Sequence, residues 1–85
     1  MNNEILELRK KIDKLDKDVL DLLEERFEIT HRIGEIKRTE EFQIRDHTRE
    51  DEMMGSRINQ TELNENFVAK LFSTILEESR RLQSK

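Results

Sequence analysis

The sequence predicts an all-α protein of three helices per chain, one of them very long, that needs a second copy of itself. Three observations predict this. Ten positions, Ile5, Leu8, Ile12, Leu15, Val19, Leu22, Arg26, Ile29, Ile33 and Ile36, follow one another at alternating gaps of three and four, and all but Arg26 are aliphatic. That spacing puts an apolar seam along one face of a single helix. The chain has no proline and only two glycines, Gly34 and Gly55, and no segment alternates with the period of a strand. Finally, 85 residues with 42% charged and 33% hydrophobic side chains form one domain, spanning 1–85, with little core of its own.

The first helix is expected from about Asn3 to Thr39. Asn3 suits the N-cap and Glu4 the first turn. At 1.5 Å per residue such a helix is about 55 Å long. A compact chain of this size has a radius of gyration near ~12 Å, and so a diameter of about 30 Å. The helix therefore outruns its own monomer, and its overhanging seam calls for another chain. Gly34 in the helix interior costs about 1 kcal/mol relative to Ala and is a candidate point of close backbone packing.

Residues 40–46 break the period and form a connection. The second helix begins near Asp46 to Thr48, with Asp46 able to cap it and Thr48-Arg49-Glu50-Asp51 resembling a capping box. Met53, Met54 and Ile58 give it a short apolar face. Gly55-Ser56 weakens it, so it is expected to be the most labile element. A polar loop follows over 59–64. The third helix starts with Asn64 as N-cap and runs to about Gln83. Its apolar face is Phe67, Val68, Leu71, Phe72, Ile75 and Leu76. The same stepping continues to Ser79 and Gln83, so two neutral hydrogen-bonding residues take over the inward stripe.

Composition removes several function classes. There is no cysteine, hence no disulfide framework and no thiol chemistry. Two histidines far apart do not make a structural zinc site, and no metal is expected. The net charge of −4 disfavours nucleic acid as a partner. The start, Met1-Asn2-Asn3-Glu4, lacks the basic and apolar regions of a signal peptide, and no apolar run reaches membrane-spanning length. A cytoplasmic protein with no membrane partner is the expectation.

The seam arginine carries the functional reading. A buried unpaired charge is expensive, so Arg26 must pair with an acidic side chain, lift its head to water or bind an anion. Lys37, eleven residues on, lies only about 20° around the helix and about 16 Å along it, so the two cations could clasp an anion between them. Arg9 lies about 25 Å from Arg26 on the same helix and cannot reach that ligand. In an antiparallel dimer, Arg9 of one protomer could approach the Arg26/Lys37 region of the other. Asp46, Arg49 and Glu50 add a mixed-sign cluster able to hold both an anion and a hydroxyl.

Taken in order, Leu8-Arg9-x-x-Ile12-Asp13-x-x-Asp16, Leu20, Leu22-Leu23, Glu25-Arg26, Ile33-Gly34-x-x-Lys37, Ile44-x-Asp46-x-x-Arg49-Glu50, Phe67-x-x-x-Leu71-Phe72 and Ile75-x-Glu77-x-Ser79-x-x-x-Gln83 resemble the all-helical (AroQ-class) chorismate mutases over nearly the whole chain. No single piece is specific; the ordered set is. The resemblance implies an intertwined three-helix homodimer that converts chorismate to prephenate on the route to Phe and Tyr, with no metal or organic cofactor. It implies that Arg26, and Arg9 from the other chain, bind the two substrate carboxylates. Lys37 would bind a carboxylate and the ether oxygen, and Gln83 would donate to the same oxygen. Asp46 and Glu50 would hold the ring hydroxyl, with Arg49 and Ser79 completing the anion pocket. The sequence departs from the usual pattern at Gln43, where many relatives have proline, and at Asn64-Glu65 in place of Asp-Pro. Two competing readings are an isochorismate–pyruvate lyase of the same fold and a non-catalytic helical dimerisation module with Arg26 as a register-setting residue.

Overall fold

The computed structural model describes residues 2–39 and 47–84, and these form three α-helices: α1 Asn3–Thr39, α2 His47–Asn59 and α3 Glu65–Gln83. No strand occurs among the described residues. The connection expected over 40–46, including the capping role of Asp46 and the departure at Gln43, lies outside them.

The cap of α1 stands one residue earlier than expected. Asn2, not Asn3, is the cap: its Oδ1 accepts from the backbone N–H groups of Glu4 (2.8 Å) and Ile5 (3.3 Å). With two asparagines adjacent, the preference for Asn at an N-cap does not choose between them; Asn3 instead takes the first helical position. The cap of α3 is the expected one, since Asn64 Oδ1 accepts from the Phe67 N–H at 3.0 Å. α2 runs without a break through Gly55, around which a Cβ would meet nothing.

α3 lies between the other two helices and packs on both. The pairs Arg26–Ser79 and Gly34–Gln83 run in the same sense along α1 and α3. The pairs Glu50–Arg80 and Arg57–Phe72 run in opposite senses along α2 and α3. Only the carboxy-terminal part of α1 is engaged in this packing. Its buried residues are Thr30 and Gly34, and every residue from 2 to 22 is exposed.

The molecule is consequently long and thin, 59 × 24 × 15 Å with a radius of gyration of 16.7 Å, against the ~12 Å of a compact chain of this length. Among the described residues its buried apolar core is Met53, Val68 and Ile75. The α1 seam stays open to solvent, with Leu15 60% and Leu22 64% exposed. The expected inward face of α3 divides similarly: Val68 and Ile75 are buried, while Phe67 and Leu71 remain exposed. No described helix is long and apolar enough to cross a membrane.

Candidate active site

Three helical stripes converge on one cleft. α1 supplies Arg26, Thr30, Ile33 and Lys37, spaced four, three and four. α2 supplies Arg49, Glu50 and Met53, and α3 supplies Leu76, Ser79 and Gln83, spaced three and four. Positions at these intervals share a helix face, so regular helix geometry alone aims each set at a common point. The cleft encloses about 590 Å³, its open mouth included.

Arg26 is the centre of this arrangement. Its Nη1 donates to Ser79 Oγ at 2.9 Å, and its Nη2 lies 3.8 Å from Met53 Sδ. Ser79, only 4% exposed, donates its own proton to the Ile75 carbonyl oxygen at 2.8 Å. The hydroxyl is thus fixed as an acceptor for the guanidinium. No carboxylate pairs with Arg26 among the described residues. Burial, and then the positive charges of Arg57 and Arg49, push the Arg26 pKa below the ordinary arginine value. A half-buried cation with two further cations near it is electrostatically suited to an anion.

The rim is ordered by further contacts. Glu50 is held from behind by Arg80, whose Nη1 donates to Glu50 Oε2 at 2.9 Å with both side chains largely buried. Arg57 lies over the Phe72 ring, 5.9 Å from its centroid, within reach of a cation–π interaction. Gln83 lies at the end of α3, its Oε1 buried and without a hydrogen-bond partner among the described residues. Its carbonyl oxygen accepts from Arg38 Nη1.

Six of the eight residues singled out from the sequence, Arg26, Lys37, Arg49, Glu50, Ser79 and Gln83, line this one cleft. Ser79 and Gln83 do continue the inward stripe of α3 rather than fraying into solvent. Asp46 lies outside the described residues. Arg9 is exposed on the free half of α1 and does not line the cleft. Sequence reasoning missed Thr30, Ile33, Met53 and Leu76 as cleft residues, and Arg80 and Arg38 as supports of Glu50 and Gln83. Thr30 was within reach, being one turn beyond Arg26 on the same face. The two arginines were not, because their partners depend on the register between helices.

The cleft offers cations, hydrogen-bond donors and one carboxylate. Among the described residues its only hydroxyls are Thr30 and the Ser79 group already committed to Ile75, and no histidine lines it. Such a set can grip and polarise an anionic substrate but holds no activated nucleophile.

The family model for chorismate mutase type II matches residues 8–84. A bifunctional chorismate mutase/prephenate dehydratase of Buchnera aphidicola subsp. Schizaphis graminum is 34% identical over 98% of this chain and 22% of its own length. Its counterpart from Buchnera aphidicola subsp. Acyrthosiphon pisum is 33% identical over 99% of this chain and 23% of its own length. The chain thus spans less than a quarter of the curated relatives it matches. Among solved structures, the form II chorismate mutase of Thermus thermophilus superposes with a TM-score of 0.91, at 27% identity, over 96% of both chains. With the family model matched from Leu8, within the second turn of α1, past the end of α3, the chain belongs to the chorismate mutase type II family.

Proposed function

We propose that residues 1–85 form one catalytic domain that rearranges chorismate to prephenate, acting as a homodimer in which Arg9 of each protomer completes the partner's cleft. The observation that carries the reading is Arg26: a half-buried guanidinium with no carboxylate partner among the described residues, in a cleft shared with Lys37, Arg49, Glu50, Ser79 and Gln83. The substrate is a dianion, whose charge is complementary to Arg26, Lys37 and Arg49.

The reaction is an intramolecular [3,3] shift. The ether C–O bond breaks, a C–C bond forms, and no proton, nucleophile or cofactor is required. Two contributions are left to the protein. Arg26 and the partner chain's arginine grip the two carboxylates and hold the flexible enolpyruvyl ether in its compact reactive conformer. Lys37 and Gln83 donate to the ether oxygen, which gains negative charge as the C–O bond stretches. Glu50, and Asp46 near it in the sequence, accept from the ring hydroxyl, while Arg49 and Ser79 complete the anion pocket. The dimer is supported by the exposed aliphatic seam of α1, a contiguous apolar stripe of the kind that marks an interaction surface. A biosynthetic step of this kind implies the cytoplasm, which cell fractionation tests.

The purified chain should consume chorismate, followed by loss of its ultraviolet absorbance, and yield prephenate. Isochorismate supplied to the same preparation should not release pyruvate. Pyruvate release without prephenate formation would make the chain a lyase, and inertness toward both substrates would leave only a dimerisation module.

A further inference from the structure

We propose that Gly34 and Arg38 of α1 are positioning residues for Gln83, fixing the last turn of α3 so that the Gln83 amide is held at the ether oxygen of the substrate. The inference rests on the catalytic reading of Gln83 given above.

Gln83 occupies the least secure place in a helix. The final turn of α3 has carbonyl groups with no intrahelical partner, and helix ends fray. One local bond, from the Ser84 N–H to the Arg80 carbonyl at 3.1 Å, closes this turn. The amide gains no anchor from its own Oε1, which is buried without a partner among the described residues. Placement of the amide therefore depends on placement of the Gln83 main chain.

Two residues of α1, one turn apart on the same face, supply that placement. At Gly34 the two helices meet backbone to backbone. A Cβ built there would stand 2.7 Å from Gln83 Cα and 3.0 Å from both Gln83 Cβ and the Gln83 carbonyl oxygen. Ordinary carbon contacts begin near ~3.5 Å, so even a methyl group would force the α3 terminus away by roughly 0.8 Å. Arg38 then donates from Nη1 to the Gln83 carbonyl oxygen. It satisfies an otherwise open group and sets a positive charge at the negative end of α3. Glycine removes the obstacle and arginine closes the contact. Gly34 lies in a position where Ala would strengthen the helix by about 1 kcal/mol, so its presence is accounted for by α3 rather than by α1.

The test is a double-mutant cycle on the whole chain, with kcat and KM for chorismate measured separately. Gly34→Ala should lower kcat by about 10- to 100-fold, the scale of a misplacement approaching 1 Å, while KM changes by less than about threefold, because the ether-oxygen contact strengthens mainly in the transition state. In a Gln83→Ala background the same substitution should change kcat by less than about twofold. An equal loss in both backgrounds would show generic damage to packing and overturn the inference. So would full activity of Gly34→Ala. Arg38→Met, which disturbs no buried side chain, should reduce kcat by roughly 3- to 10-fold, with Arg38→Lys recovering part of it through its charge; an unaffected Arg38→Met would overturn the role of the arginine even if Gly34→Ala failed to fold. Gly55→Ala is the control, expected to leave kcat unchanged because nothing lies near its Cβ. Full activity of Gln83→Ala alone would defeat the catalytic reading of Gln83 itself, and the positioning role with it. Failure of the coupling would defeat only the positioning role.

Discussion

Under the proposed function, Arg26 is a single side chain that is costly for folding and needed for catalysis. Burial and the neighbouring charges of Arg57 and Arg49 weaken proton binding to the folded state relative to the unfolded one. Folding is therefore penalised wherever the guanidinium is charged, which is the whole working pH range, and the penalty would fade only in extreme alkali. Arg26→Met removes the charge at similar length. It should abolish chorismate turnover while raising the Tm of the ligand-free protein, because the unfavourable charge is gone from the folded state. The gain should be the same at pH 6 and pH 9 by differential scanning calorimetry. A fall in Tm would mean that the Ser79 hydrogen bond outweighs the repulsion. Gln83→Glu probes the other end of the cleft: a carboxylate there repels the charge growing on the ether oxygen. Turnover should drop by about 10²–10³-fold near neutral pH and partly return on acidification, when the carboxylic acid can donate again. A pH-independent loss would exclude a donor role. These residues were legible because helical stepping fixes which side chains share a face. Arg26 broke an otherwise aliphatic series, and Ser79 and Gln83 continued one.

At the scale of elements, what the sequence specified was each helix taken alone, and what it left open was how the helices meet. The limits of α3 and its Asn64 cap follow from local rules. The cap of α1 was misplaced by one residue because Asn2 and Asn3 satisfy the same rule. Contacts across helices have no such local signature. The Glu50–Arg80 pair joins α2 to α3, and either residue alone resembles ordinary surface charge. It is largely buried, so Arg80→Met should destabilise the protein by about 1–3 kcal/mol, the cost of leaving a desolvated acceptor without its charged donor. Urea denaturation measures this; a change below about 0.5 kcal/mol would mean that Glu50 is held adequately by its other contacts. Gly55→Ala acts in the opposite direction. With open space around the added methyl, helix propensity alone operates and α2 should gain about 0.5–1 kcal/mol.

For the whole molecule, the decisive quantity is the length of α1. Its 37 residues of helix stand over a core of three buried apolar side chains among the described residues, and its residues up to 22 are all exposed in their own chain. In the proposed dimer a second protomer would cover the open seam, and a partner helix laid antiparallel along it would carry its Arg9 toward the cleft. Sedimentation at micromolar concentration should therefore show about twice the chain mass, and a fully helical monomer would exclude this assembly. The shared cleft has a sharper consequence. If each site takes Arg26 from one chain and Arg9 from the other, Arg9→Ala and Arg26→Ala homodimers should both be inactive. Refolding the two together in equal amounts gives mixed dimers with one site lacking both arginines and one site intact. Random assortment makes half of the dimers mixed, so roughly a quarter of the original activity should return under closed two-fold pairing. Mixed dimers confirmed by native mass spectrometry but devoid of activity would place Arg9 outside the partner's cleft. The overhang of α1 would then serve assembly alone, and the second carboxylate clamp would have to be sought among the cations of the same chain.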